Sequence, residues 1–148
     1  MIPPASDKVD WTLFLRAMAD AIDGMSTPAG RDEWLRDIGV RIAGIRPLRH
    51  VPNLESLAME VNDFLRAQGW GEARFDLQEA DRSLLITHTG LPRLGAAGEP
   101  PGTWLTALLE GLYTTWLGHM PGADKSLVAR RLRASPDVTL LRYAMQPK

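Results

Sequence analysis

The sequence predicts an α+β fold in which N-terminal helices accompany a small antiparallel four-stranded sheet. Two observations carry this. Apolar residues recur at spacings of three and four through the first third and again after residue 103, which is helical spacing. Between and after these stretches the period drops to two, in two pairs of runs, each folding back over a short turn. Strands that pair locally, with helices before and between the pairs, describe an antiparallel sheet with helices on one face. A length of 148 residues suits one domain spanning 1–148, with 1–9 as a flexible N-terminal segment.

Taken in order, Trp11, Leu15, Met18 and Ile22 form one apolar helix face, with Asp10 as N-cap and Gly24 as stop. A turn is expected through Ser26-Thr27-Pro28-Ala29-Gly30. Leu35, Ile38, Ile42 and Ile45 then repeat the pattern until Pro47. Asn53 opens a third helix, with Leu54, Leu57, Ala58, Val61 and Leu65 facing inward and Gly69 near its end. From Gly71, Ala73, Phe75 and Leu77 alternate with Glu72, Arg74 and Asp76. A turn through Glu79-Ala80-Asp81 returns the chain along Ser83 to His88, a β-hairpin. Residues 90–102 are too rich in Gly and Pro for either element and lead into a helix from Thr103 to about Gly118, lined by Trp104, Leu108, Leu112 and Trp116. Two last strands, Ser126 to Leu132 and Val138 to Met145, flank the turn Ala134-Ser135-Pro136-Asp137. A sheet of this kind leaves edges that must be covered, twisted away or paired with another copy. Five Trp in so short a chain fit an oligomer at least as well as a monomer.

Bulk composition excludes several classes. With 45% hydrophobic and 24% charged residues the chain reads as an ordinary folded protein, with no membrane insertion. A net charge of -1 and no gathered Lys and Arg argue against nucleic acid. The strongest basic cluster, Arg130, Arg131 and Arg133, falls on a strand, where Arg130 and Arg131 point to opposite faces. Cysteine is absent, which removes disulfides, thiolate metal sites and a Cys nucleophile. Met1 to Lys8 lacks the basic and apolar regions of a secretory signal, so a cytoplasmic location is expected, with the periplasm as the alternative.

Catalytic and metal chemistry find little footing. His50, His88 and His119 lie in three separate segments, so no metal site and no cofactor is expected; of the three, His88 near a strand end stands out. Ser and His form no nucleophile motif. The glycine-rich run Gly90 to Gly98 precedes a helix but continues as Gly98-Glu99-Pro100-Pro101-Gly102, which sets a carboxylate and two residues without N–H where a phosphate would sit. Glu99 and Glu110 could be offered as a glycosidase pair. However, Glu110 lies on a different helix face from Trp104, where a solvated or capping role is expected. Trp11, Trp34, Trp104 and Trp116 lie on or beside apolar stripes and read as core or interface rather than sugar platforms.

Gly98, Glu99, Pro100, Pro101, Gly102, Thr103, Trp104 and Leu105, followed by Leu109, Glu110, Gly111, Leu112, Tyr113 and Trp116, resemble the signature region of the cellulose synthase D-subunit family. His88-Thr89, Leu91-Pro92 and Gly95 fit as well, as do Lys8, Asp10, Leu13-Phe14-Leu15 and the stretch from Asn62 to Gly71. Gly90 departs from the pattern, standing where Asp is expected. The resemblance implies an α+β protein that is not an enzyme and that assembles from dimers into a ring-like octamer. It implies work with the cellulose synthase complex, promoting crystalline cellulose by organising synthases and their nascent chains. It further implies β-1,4-glucan running through passages lined by N-terminal segments, here Ile2, Pro3, Pro4, Ala5, Ser6, Asp7 and Lys8. A proline-rich cellulose-synthesis accessory protein is the expected partner of the oligomer, docking as an already extended chain.

Overall fold

The computed structural model describes residues 12–25, 27–92, 103–135 and 137–145. In chain order they form α1 (Thr12–Met25), α2 (Pro28–Ile45), α3 (Leu54–Gln68), β1 (Glu72–Gln78), β2 (Ser83–Thr89), α4 (Thr103–Gly118), β3 (Leu127–Ala134) and β4 (Val138–Met145). The order and type of every element match the periodicities. The sheet runs β1-β2-β4-β3, antiparallel throughout, so two local hairpins join through β2 and β4. Among the described residues no helix is long and apolar enough to cross a membrane.

Four boundaries differ from expectation, the first being α1, which runs through Gly24, the expected stop, to Met25. Of the turn expected over residues 26–30, residue 26 lies outside the described residues and residues 28–30 are the first turn of α2. Thr27 caps it, its hydroxyl accepting from the Gly30 amide at 3.1 Å, and Pro28 occupies the first turn, where its missing N–H costs nothing. Strand β2 runs one residue further, to Thr89. Strand β3 is displaced to Leu127–Ala134, with a register shift between Arg131 and Arg133 that lengthens the strand by accommodating Leu132. Helix α3 follows the prediction: Asn53 Oδ1 accepts from the Ser56 amide at 2.8 Å, and Gly69 ends the helix in the left-handed region at φ 72°.

The core lies between the helices and one face of the sheet. Ala73 and Phe75 of β1, Leu84 and Ile86 of β2, and Leu141 and Tyr143 of β4 meet Leu57, Val61 and Leu65 of α3 and Leu109, Leu112, Tyr113 and Trp116 of α4. Edge-to-face aromatic contacts run through it: Phe64 to Trp116 at 4.9 Å, Phe75 to Tyr113 at 6.0 Å and Tyr113 to Trp116 at 6.1 Å. A second cluster ties Ala19 and Ile22 of α1 to Leu35 of α2 and to Ala107 and Leu108 of α4.

Helix α4 is more enclosed than one apolar stripe suggests. Every residue from 106 to 113 is buried, because α2 covers one side and the sheet the other. The α2 stripe also differs from expectation: Arg31, Leu35, Gly39 and Ala43 are buried, whereas Ile45 is 75% exposed. Small residues decide this. A Cβ on Gly39 would stand 2.1 Å from the Leu108 carbonyl oxygen, and one on Gly111 would stand 2.0 Å from the Arg36 carbonyl oxygen. The two helices thus touch backbone to backbone through reciprocal glycines, and the larger Ile38 and Ile42 are left at the margins, partly buried.

Candidate functional site

Among the described residues, the signature falls on α4. Thr103 and Trp104 open that helix, and Leu105 is partly buried beside the second cluster. Gly98, Glu99, Pro100 and Gly102 lie outside the described residues, as do Trp11, Asp10 and the whole segment from Ile2 to Lys8.

Glu110 corrects the sequence expectation of a solvated or capping side chain. It is 1% exposed and bridges three elements. Its Oε1 accepts from Arg36 Nε of α2 at 3.0 Å and from Arg131 Nη2 of β3 at 3.2 Å, and its Oε2 accepts from the Arg131 backbone N–H at 2.8 Å. Arg131 reaches on to Asp32 at 3.1 Å. A buried carboxylate needs charge partners and hydrogen bonds together, and this one has both. The expectation failed because helix periodicity locates one apolar stripe and says nothing of a second element packed on the opposite side. Strand alternation divides the basic cluster less than expected: Arg131 joins Glu110, and Arg130, which donates to the neighbouring Ala129 carbonyl at 2.9 Å, still lies within electrostatic reach of Glu110, Arg36 and Arg131. Partial burial lowers the Arg130 pKa.

Tyr113 and His88 form a second buried polar link. The His88 ring lies 2.8 Å from the Tyr113 hydroxyl through Nδ1 and 2.7 Å from the Trp70 carbonyl through Nε2. A carbonyl only accepts, so Nε2 carries the proton and Nδ1 accepts from Tyr113. Burial holds the His88 pKa below its ordinary value, partly opposed by the Trp70 carbonyl, and burial pushes the Tyr113 phenol up. Neutral His88 therefore ties β2 to α4 and to the α3–β1 turn. Trp116, 1% exposed, donates its indole N–H to the Arg46 carbonyl at 3.0 Å. Of the other tryptophans named as core or interface, Trp34 is 42% exposed on α2.

The outer strands show how the sheet edges are managed. On β3, the outward N–H of Ala129 donates to Thr114 Oγ1 at 2.8 Å and that of Arg131 to Glu110. Two side chains of α4 thereby occupy the donors that another strand would need. On β1, Asn62 of α3 acts as a short strand: its Oδ1 accepts from the Ala73 N–H at 2.7 Å and its Nδ2 donates to the Ala73 carbonyl at 2.9 Å. Neither device was legible in the sequence, because each joins residues through side chain to backbone bonds that no local pattern records.

Two of the three histidines are less scattered than their sequence positions suggest. His50 and His119 both line an open cleft of about 450 Å³ at the end of α4, together with Lys125 and part of Trp116. Among the described residues no carboxylate lines it, and no group of three His, Asp or Glu could hold a metal ion.

Glu110, Gly111 and Tyr113 are thus spent on wiring α4 to α2, β2 and β3. A family model described as the D subunit of cellulose synthase matches residues 3–144. Cellulose synthase operon protein D of Komagataeibacter xylinus is 38% identical over 143 residues, covering 92% of this chain and 91% of that protein. The protein of the same name in Komagataeibacter sucrofermentans is 35% identical over 142 residues, with the same coverage of both chains. With a match of that extent joined to the α+β architecture, the chain belongs to the cellulose synthase D-subunit family.

Proposed function

We propose that this chain is a non-catalytic accessory component of the bacterial cellulose synthase complex, acting as a scaffold. In this reading, dimers assemble into an octamer that arrays synthase complexes and organises their glucan chains, which promotes crystalline cellulose. The observation that carries it is the state of the signature residues. Glu110 is held by two arginines and a backbone amide, Tyr113 by His88, and Trp116 by the Arg46 carbonyl. A general acid or nucleophile needs a free polar atom within reach of substrate, and these atoms are engaged in holding the fold. What remains for function is surface. Leu13 at 81% and Phe14 at 58% exposure on α1 are apolar groups of the kind that assembly covers. The oligomer is placed in the cytoplasm, where repeated copies would hold a proline-rich accessory protein by avidity.

Light scattering on the full-length chain, at several concentrations, tests the reading. A stable octamer is expected, and a persistent monomer overturns it. Incubation with cello-oligosaccharides should leave them unchanged; hydrolysis or transfer products that vanish on Glu99→Gln would make the chain an enzyme. Deleting residues 2–8 separates scaffold from glucan guide. A guide loses cello-oligosaccharide binding with assembly intact, whereas a scaffold keeps its mass and has no sugar binding to lose.

A further inference from the structure

The geometry points to the outer edge of β1 as a self-association surface, pairing antiparallel with β1 of a second copy with the two Asp76 residues opposite each other. This deepens the oligomeric reading above and rests on it.

The ladder determines which backbone groups face outward. Ala73 gives both its N–H and its carbonyl to Asn62, so in the β1–β2 register of Ala73↔His88 and Phe75↔Ile86 the odd-numbered residues point away from β2. Phe75 and Leu77 therefore present N–H and carbonyl groups outward, with no hydrogen-bond partner among the described residues. The opposite edge is blocked along Ala129 and Arg131 by Thr114 and Glu110. On β3 the exposed Leu132 falls at the register shift between Arg131 and Arg133, which breaks the ladder there, whereas β1 keeps a regular unblocked run beside a large exposed apolar side chain. Leu77 is 60% exposed, although it continues the buried face of Ala73 and Phe75.

The occupant follows from the limits of this run. Asn62 closes it at Ala73, and the strand ends at Gln78. That leaves residues 74–78 open, a stretch centred on Asp76. Two such stretches related by a two-fold axis at Asp76 pair Phe75 with Leu77 of the second copy and Leu77 with Phe75, using all four outward groups of each strand. The second strand then ends opposite Arg74, one residue before it would meet Asn62. Leu77 packs beside Phe75 of the second copy, which accounts for an apolar side chain left bare at the end of a buried face. On the other face the two Asp76 carboxylates stand directly opposite, a like-charge pair that by itself disfavours the seam, and it is offset by Arg74, already 3.3 Å from Asp76 within one strand, because each Arg74 lies diagonal to the other copy's Asp76. The product is a continuous eight-stranded sheet.

Three variants of the full-length chain test this. Leu77→Pro removes an outward N–H that the chain itself does not use, a change that edge strands tolerate, and Leu77→Lys places a charge at the seam. Both should lower the native mass by twofold or more while the far-UV circular dichroism is retained. Because the chain has no cysteine, oxidised Asp76→Cys can form only an intermolecular disulfide. At a non-hydrogen-bonded antiparallel pair, where Cα atoms stand about 4.5 Å apart, it should convert most of the protein to a covalent dimer. A wild-type monomer would overturn the oligomeric reading itself. A wild-type oligomer whose mass is unchanged in both Leu77 variants, with no Asp76→Cys dimer, would overturn the β1 edge alone.

Discussion

Two alanine substitutions on one helix should shift stability in opposite directions. Gly39 and Gly44 both lie in α2, five residues apart. A Cβ on Gly44 meets nothing within 4 Å, whereas a Cβ on Gly39 would meet the Leu108 carbonyl oxygen at 2.1 Å and the Leu112 amide nitrogen at 2.7 Å. Replacing glycine with alanine in a helix is intrinsically worth about 1 kcal/mol, and Gly44→Ala should realise most of that. At Gly39 the gain is outweighed. Both atoms encountered belong to the α4 backbone, so no rotamer change relieves the clash, and α2 and α4 must separate by about 1 Å along their closest seam. Overpacking of this kind costs roughly 1–3 kcal/mol and sometimes more; with backbone on both sides, the upper end applies and the net loss is about 2 kcal/mol. For a chain of this length, each kcal/mol moves the midpoint by about 2–4 °C. Gly39→Ala should therefore lower the thermal midpoint by roughly 4–8 °C and Gly44→Ala raise it by about 2–4 °C. Circular dichroism melts at one fixed protein concentration measure both, since assembly otherwise shifts the midpoint. If Gly39→Ala were as stabilising as Gly44→Ala, the backbone contact between α2 and α4 would not exist as described.

Glu110→Gln should cost about 2 kcal/mol in urea unfolding. It leaves Arg36 without its carboxylate and Arg131 with Asp32 alone, a loss of about 3–5 kcal/mol for a fully buried pair, reduced here because Arg36 and Arg131 are each 29% exposed and Arg131 keeps its second partner. An unchanged midpoint concentration would show the network to be energetically idle. Stability should also fall as pH drops below about 6.5. His88 has a depressed pKa in the folded chain, so the unfolded chain binds the proton first; the contribution is complete above the unfolded value and declines below it, by at most about 1.4 kcal/mol per pH unit. Comparing urea unfolding at pH 7.5 and 5.5, His88→Gln should remove this part of the slope; an identical slope in the variant would assign it elsewhere.

The sequence alone determined the succession of helices and strands, the antiparallel pairing and the caps at Asn53 and Gly69, because each depends on residues a few positions apart. It also carried the family resemblance, through Gly, Pro and Trp spacings that survive in linear order. Which stripe α2 buries was not legible: Ile38 and Ile42 outweigh Gly39 and Ala43 in any hydrophobic pattern, yet the smaller pair makes the contact because it allows two backbones to meet. The role of Glu110 was hidden for a related reason. Periodicity reports how apolar a face is, and a carboxylate registers as polar whether water or an arginine surrounds it. Arg36 and Glu110 are 74 residues apart, and Glu110 and Arg131 are 21 apart. Only the folded chain brings these charges together, and only there does the sheet acquire one edge closed by α4 and another left partly open at Phe75 and Leu77.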